Sequence, residues 1–459
     1  MSNLKLYVSR QQYESAGGAS WPTYNDFVTG IRVESPVQDE IDLLVKESKR
    51  AGIRFPIESA TACQSKWTWS TIWLNQMASS SCHRVNSVAI PLEEFDNFHN
   101  LPKKIADREL MLNGQWPKGG CEYCKNIEDA GGFSDRHHNL DIRGLTPPEV
   151  ETDFTATYVS PRIVEIFAHN TCNLACVYCN GGLSSKIEQE NLKFGSFYKD
   201  GVHIPSTATP DAADEYFAKF VDWLDRNVQT LVRLHLLGGE TFIQHDLMTA
   251  VLDILERKPN PNLELCIFSN MNVPDKYWNL YTGRIQELQS KGHLRYFDLT
   301  ASIDCWGPEQ EYVRSGLNLS KFEERFAWAS EQGDWLRLNV NQTVTPLTMR
   351  TMPGLIEKVN QYSVNKHIGH YFQFYTGTYM FQHPQIFSYD LWADDFKRIY
   401  SLMRNPEAVQ RMEGMEKQLQ QVKQHNYKDI RRLHVYLDEL DRRRNTNWRE
   451  LFPYLDIHE

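Results

Sequence analysis

No stretch of this 459-residue chain approaches the ~20 consecutive apolar residues that a membrane-spanning helix needs. The N-terminus also lacks the basic segment and following apolar run of a secretory signal. Basic residues are in deficit: 49 Lys and Arg stand against 59 Asp and Glu, a formal charge of −10. A general nucleic-acid binder needs basic surface to displace counterions from phosphates, so that class is disfavoured. These absences predict a soluble, cytoplasmic protein with no membrane partner. The rest is ordinary globular composition, 41% hydrophobic and 24% charged. Cysteine is sparse at nine residues, and in a long intracellular chain such thiols serve metal or redox chemistry rather than a disulfide framework.

Seven of those nine fall into two spaced sets, leaving Cys266 and Cys305 apart. The more telling set is His169-Asn170-Thr171-Cys172-Asn173-Leu174-Ala175-Cys176-Val177-Tyr178-Cys179-Asn180-Gly181-Gly182, a C-x3-C-x2-C pattern. Closed cubane sites use four cysteines, so three thiolates from Cys172, Cys176 and Cys179 leave one iron free for a small molecule. The competing reading is a three-cysteine zinc site completed by His169. The motif, with its Asn, its aromatic before the third cysteine and its Gly-Gly, resembles the signature of the radical SAM superfamily. That resemblance implies an open [4Fe–4S] cluster whose free iron chelates S-adenosylmethionine, with Tyr178 packed by the adenine.

The second set is Cys63, Cys82, Cys121 and Cys124, spaced C-x18-C-x38-C-x2-C. Four thiolates from a hairpin and a helix start suit a closed site. With Pro117-Lys118-Gly119, Leu110–Gly114 and Ala130-Gly131-Gly132 around it, the segment resembles the auxiliary-cluster modules called SPASM and twitch, placed here before the core. The resemblance implies a second, auxiliary [4Fe–4S] cluster that relays electrons or supports structure; structural zinc on the same cysteines is the alternative. His137 and His138 are read as surface or packing.

Periodicity predicts a helix over 38–51, a strand over 66–74 and a helix over 103–112. From residue 162 onward strands alternate with helices: strands over 162–167, 231–237, 263–269, 297–303, 335–344 and 370–375, with helices over 212–227, 245–256, 276–288, 319–330 and 352–361. Residues 184–210 read as a long polar stretch. Six such repeats imply parallel βαβ units, hence an α/β fold built on an open (β/α)6 partial barrel, the fold the resemblance also implies. The expected layout is a lead over 1–60, the auxiliary module over 61–150, the barrel over 151–380 and a helical cap over 381–459. Arg442-Arg443-Arg444, near the end of that cap, is read as a solvated helix end rather than a site for an acidic partner.

Active groups in such barrels gather at the C-terminal ends of strands. The second strand ends in Gly238-Gly239-Glu240, where glycines permit close backbone approach and the carboxylate can accept from an ammonium; this resembles the family motif that holds the methionyl amine. The third ends in Ser269-Asn270, suited to ribose hydroxyls, with Met271 where the family often has Gly. The fourth gives Ser302-Ile303-Asp304-Cys305 and then Tyr312-Val313-Arg314-Ser315-Gly316, similar to segments of peptide-modifying members. By that resemblance Ser302 binds ribose, Arg314 pairs with a carboxylate, and Asp304 faces the substrate as base or anchor; a structural Asp304–Arg314 ion pair is the alternative. Cys305 is the candidate hydrogen-atom donor of an epimerase, set against the buried small hydrophobe that free cysteine usually is. Cys266 is read as core. Asn339, Asn341 and Thr343 can face inward from the fifth strand.

The expected activity is reductive cleavage of S-adenosylmethionine to a 5′-deoxyadenosyl radical that takes hydrogen from a substrate. A ribosomally made peptide is the leading substrate class and a small amino-acid or sugar-derived metabolite the runner-up; a reductant such as flavodoxin or ferredoxin is the expected partner. A non-catalytic iron–sulfur electron carrier is the competing class, and RNA modification a third, disfavoured by the acidic balance.

Overall fold

The computed structural model describes residues 61–129, 134–138, 152–207, 213–364 and 366–459. The helix expected over 38–51 and the Ala130-Gly131-Gly132 segment lie outside these residues. The described strands, in chain order, are β1 (Trp69–Trp73), β2 (Ala78–Ser80), β3 (Val88–Ala89), β4 (Ile163–Phe167), β5 (Ala175–Cys176), β6 (Phe197–Lys199), β7 (Val202–Ile204), β8 (Arg233–Leu237), β9 (Glu264–Ser269), β10 (Tyr296–Ser302), β11 (Arg314–Ser315), β12 (Leu336–Val344) and β13 (Ile368–Phe374). The described residues fall into two compact units, the first up to Ile166 together with Ala213–Leu234, the second the described part of 167–212 together with His235–Glu459.

In the first unit the aromatic run does not form a single strand. Gln64–Thr68 coils into a short helix and only Trp69–Trp73 extends. Every residue of that helix is buried, as are Ser70, Thr71 and Ile72, so an alternating sequence here reports burial on all sides rather than a two-faced strand. β1 pairs antiparallel with β2, Thr71 opposite Ser80, and β2 with β3. The helix Pro102–Leu112, expected over 103–112, sends the buried Lys104 to the Ser70 and Ser79 hydroxyls at 3.1 and 2.5 Å. Burial, then Arg108 and Lys66, holds that amine well below its usual range, which lets hydroxyls alone serve as its partners.

In the second unit β9, β10, β12 and β13 lie side by side, all parallel, in that order. The helices Asp275–Ser290, Leu319–Glu331 and Met352–Tyr362 fill the crossovers, so this is an α/β fold with a mostly parallel sheet. Along β12, Leu336, Leu338, Val340 and Val344 are buried while Asn339, Asn341 and Thr343 are only half-buried. The register sets Ser302 beside Asn341, Asn341 beside Tyr371, and Thr343 beside Gln373. Because side chains alternate along a strand, these five share one face, polar and partly open.

Within the polar stretch over 184–210, residues 184–204 form a helix and a hairpin. Ser185–Phe194 is a helix, capped by Ser184, and β6 and β7 form a hairpin with Lys199 opposite Val202. Asp200 and Gly201 between them have φ of 51° and 79°, as the favoured two-residue hairpin turn requires. The Asp-Gly dipeptide is a sequence signal for such a turn.

Residues 381–459 belong to this same unit. Met412, Leu419, Leu433 and Leu440 from the helices Pro406–Leu419 and Tyr427–Arg444 share one apolar core with Val177, Val202, Val313 and Val344. The arginine run is not a solvated helix end. Arg443, with no exposed side-chain surface, binds Glu439 at 2.6 Å and Asn191 at 2.9 Å, and Arg444 holds Glu190 at 2.9 and 3.1 Å. Only Arg442, its side chain 58% exposed, fits the expectation. Helical periodicity put all three at the end of a helix but could not show the helix Ser185–Phe194 beside them. Among the described residues no helix is long and apolar enough to cross a membrane.

Candidate functional site

The loop bearing Cys172, Cys176 and Cys179 is held by the short polar residues around it. Asn170 Nδ2 donates to the Gly181 carbonyl at 2.9 Å and to Glu188 at 2.8 Å, drawing the two ends of the loop together. Ser184 caps the following helix and also donates to the Leu174 carbonyl at 2.7 Å, while Ser185 Oγ accepts the Cys172 N–H at 3.0 Å. Burial, then the neighbouring Cys176, pushes the Cys172 thiol up to about 12, and burial, then Cys176 and Cys172, pushes Cys179 up as well. Asn170, Ser184 and Ser185 were not read from sequence as site residues. Ser185-x-x-Glu188 has the spacing of a helix-start signal, which marks the segment though not its grip on the loop.

Successive strand ends close on this loop. Gly238 and Gly239 have φ of 88° and 51°. A Cβ on Gly239 would sit 2.1 Å from the Thr171 carbonyl oxygen, and one on Gly238 3.0 Å from that of His169. The close approach the glycines permit is thus to the cysteine loop itself. Glu240 follows, 1% exposed, its backbone N–H on the Thr171 carbonyl at 2.8 Å. Its carboxylate accepts from Ser269 Oγ at 2.8 Å, the Asn270 N–H at 2.6 Å and the Phe242 N–H at 3.3 Å. Burial raises it to about 7 against the pull of those donors. Glu240 and Ser269, both assigned to S-adenosylmethionine from sequence, therefore hold each other and tie β9 to the loop.

Asn270 Nδ2 donates to Asn173 Oδ1, and Asn173 Nδ2 to the Asn272 carbonyl, both at 2.9 Å. Asn272 in turn reaches the Gly316 carbonyl at 2.9 Å. Asn173 and Asn272 are thus links that the strand-end reading passed over. Met271, which departs from the family's Gly, has φ of 53° and no exposed surface. The position demands the left-handed backbone for which Gly is suited, and Met271 adopts it while buried.

Arg314 and Asp304 meet beneath the loop. β11 pairs with β5, setting Arg314 opposite Cys176. Arg314 Nε and Nη2 grip the two Asp304 oxygens at 2.7 and 3.1 Å, with Asp304 unexposed and Arg314 7% exposed. Tyr178 donates its phenol to Asp304 Oδ2 at 2.8 Å, and the Thr343 N–H donates to Oδ1 at 2.9 Å. Burial works against the Arg314 charge, yet Asp304, then Tyr178 and Cys176, hold the guanidinium well above its usual range. The fork expected to take a methionyl or substrate carboxylate is filled by Asp304, and Asp304 is correspondingly saturated. Tyr178 has its phenol on Asp304 and its ring tilted against Tyr375, centroids 6.3 Å apart. Ser302, half-buried, ends β10 beside Asn341. Cys305 has no exposed surface and its thiol donates to Gln310 Oε1 at 3.4 Å, the placement of a core cysteine. Cys266, 2% exposed within β9, is core as expected.

In the first unit Cys63, Cys82, Cys121 and Cys124 line one pocket with Lys66, Arg84, Met111, Trp116 and Arg136. Cys63 precedes the helix Gln64–Thr68, Cys82 follows β2, and Cys121 opens the helix Cys121–Asp129. Gly120 lets the last of these approach: a Cβ there would fall 2.3 Å from the Arg84 carbonyl oxygen. Burial, then Cys63, pushes Cys82 up to about 12; burial, opposed by Lys66, lifts Cys121 to about 11. Buried neutral thiols gathered among cations are a donor set that a bound metal centre would convert to thiolates. Lys66, Arg84 and Arg136 are each held by a carboxylate, Asp107 at 2.7 Å, Asp135 at 2.5 Å and Glu128 at 2.6 Å.

Among the described residues no three His, Cys, Asp or Glu side chains are arranged to hold a single metal ion. His169, the fourth ligand of the zinc alternative, has Nε2 3.0 Å from Asp246. The donor sets fit thiolate-bound clusters in their chemistry: three thiols on one loop, and four around one pocket.

No family model matches the chain, and no curated protein does. Among solved structures it is similar to Streptococcus suis SuiB bound to S-adenosylmethionine, at 13% identity over 62% of this chain and a TM-score of 0.32. The match spans about half, 49%, of that chain. A likeness at this level assigns neither ligand nor reaction.

Proposed function

We propose that this chain is a radical SAM enzyme. The observation that carries the reading is the convergence on one three-cysteine loop of every strand-end segment that resembles the superfamily: Glu240 by its N–H on Thr171, Asn270 through Asn173, and Arg314 through its pairing with Cys176. Cys172, Cys176 and Cys179 would hold a [4Fe–4S] cluster, and Cys63, Cys82, Cys121 and Cys124 a second, auxiliary one, with the parallel strands as part of a (β/α)6 partial barrel. When bound, the cluster and S-adenosylmethionine would supply the radical chemistry; the protein would supply orientation, exclusion of water and control of what reacts.

Each residue's part in that reading follows from its contacts. Gly238 and Gly239 bring the end of β8 against the cysteine loop, and Glu240 locks β9 to it. Asp304 and Tyr178 fix Arg314 beside Cys176. The substrate class proposed is a ribosomally made peptide. Its support is the face formed by Ser302, Asn341, Thr343, Tyr371 and Gln373, whose hydroxyls and amides match the donors and acceptors of an extended backbone; Asp298 and Arg337 continue that face along the strands, and Arg411 lies over the Tyr371 ring. A flavodoxin or ferredoxin is the proposed electron donor.

The test is anaerobic reconstitution followed by counts of iron, sulfide and zinc, with EPR before and after S-adenosylmethionine. About eight irons and about eight sulfides per chain, and a spectrum that changes on addition, support two cubanes with one open. About four irons with one zinc keep the radical enzyme and make the first unit's site structural. A spectrum indifferent to S-adenosylmethionine overturns the reading in favour of an electron carrier.

A further inference from the structure

The geometry points to a role for Arg314 that goes beyond holding the fold. We infer that Arg314, fixed by Asp304 and Tyr178, directs an N–H at the Cys176 sulfur and thereby raises the reduction potential of the cluster bound there. This rests on the proposed function, because it needs a cluster at Cys172, Cys176 and Cys179.

Four observations carry it. The backbone of Arg314 is paired with that of Cys176, which sets the root of its side chain beside that ligand. Two of its three nitrogens, Nε and Nη2, are committed to Asp304, and the third, Nη1, lies 4.0 Å from Cys176 Sγ. Asp304 is itself held on both oxygens, by Tyr178 and by the Thr343 N–H, so the ion pair has a fixed direction, with its positive end towards the sulfur. Finally, Arg314 and Asp304 are both buried, and in a low dielectric a fixed charge acts strongly on its neighbours.

Hydrogen bonds to cluster sulfurs and nearby charge are among the levers that set an iron–sulfur potential. Reduction adds one negative charge to the cluster. A cation facing a ligand sulfur stabilises that state, and Asp304 opposes it less because it stands behind the guanidinium. Asp304 and Tyr178 are positioning residues in this scheme, and the ion pair needs no contact with substrate.

The experiment is a dithionite redox titration of the reconstituted full chain, followed by the EPR signal of the reduced open cluster, with Cys63, Cys82, Cys121 and Cys124 replaced by Ala so that one cluster is read. Arg314→Gln is expected to load iron and to lower the reduced-to-oxidised ratio at fixed poise about tenfold, equivalent to about 59 mV for a one-electron couple. Tyr178→Phe keeps the ring and the ion pair and is expected to move the ratio in the same direction by less. Because Arg314→Gln leaves Asp304 buried and alone, the Asp304→Asn/Arg314→Gln double variant is titrated beside it, with a fall in the same direction but smaller expected, since the opposing carboxylate is removed as well. An unchanged ratio in the loaded single or double variant overturns the inference. So does loss of iron from both with the apo fold intact by circular dichroism, which would make Arg314 a support for the ligand loop only. A parent protein that assembles no cluster refutes the proposed function, and the inference falls with it.

Discussion

Replacing Gly239 by Ala separates two accounts of the Gly-Gly pair. If the glycines serve only a ligand, the metal-free protein should not notice the change, and only affinity for S-adenosylmethionine should fall. The structure requires otherwise. At φ of 51° a non-glycine residue costs about 1–2 kcal/mol. The added Cβ would lie 2.1 Å from the Thr171 carbonyl oxygen and 2.7 Å from its carbon, both backbone, so no rotamer relieves the contact. Forcing the surroundings of an overpacked site to shift costs roughly 1–3 kcal/mol more. The expected loss is therefore about 2–5 kcal/mol, a large part of the ~5–15 kcal/mol that usually holds a protein folded. Urea denaturation of the metal-free variant reads it as a midpoint lowered by roughly 1–2 M. Iron uptake should fall too, since Thr171 adjoins Cys172. The internal control is Gly283, inside the helix Asp275–Ser290 with nothing within 4 Å of an added Cβ. There Ala should stabilise by about 0.5–1 kcal/mol. A Gly239→Ala protein with the parent's midpoint would refute the packing argument.

Three further outcomes follow from particular contacts. Arg443→Ala strips a wholly buried guanidinium from Glu439, Asn191 and the Gly195 carbonyl, and should cost about 2–4 kcal/mol in denaturation. Arg442→Ala, exposed and sharing Glu439, should cost under about 0.5 kcal/mol; equal losses would restore the solvated helix end. His370 is lowered to about 4 by burial and then by Arg411, with Nε2 2.9 Å from Gln342 Oε1. The unfolded chain then binds more protons than the folded one between pH 4 and about 6.5. Its contribution is thus intact above pH 6.5 and lost as pH falls towards 4. His370→Gln should flatten the acid limb of stability against pH, and an unchanged limb would count against the burial argument. Cys305→Ser, at a site with no exposed surface, should lower stability while leaving iron content intact. If the variant instead kept full stability and lost only the stereochemical outcome of a reaction, the donor role would return.

Much of the architecture was legible because it is written in local periodicity. The strand expected over 335–344 and the helix over 319–330 match β12 and Leu319–Glu331 within a residue or so. Such elements need only the residues they contain: alternation for a half-buried strand, apolar positions three and four apart for a helix. Cysteine spacing was equally local: Cys63, Cys82, Cys121 and Cys124 line one pocket, and Cys172, Cys176 and Cys179 share one loop. Residues 66–74 failed for a physical reason, since burial on all sides removes the contrast that periodicity reads. The hairpin at Asp200-Gly201 was written in the sequence and outweighed by the polarity of its surroundings.

What the chain order could not contain is which polar group meets which. Asp304 and Arg314 could equally have faced a substrate, and only the pairing of β11 with β5 turns the arginine towards Cys176. Glu240 was legible as a hydrogen-bond acceptor, but not that β9 brings Ser269 and the Asn270 N–H to its oxygens. Gly239 was legible as a place of close approach, but not that Thr171 is what it approaches. Composition and spacing determined the chemistry available to this protein: thiols in sets of three and four, and parallel strands presenting polar ends. Tertiary structure decided the allocation, because hydrogen bonds and ion pairs between residues tens or hundreds of positions apart depend on distance in space, on which sequence separation is silent.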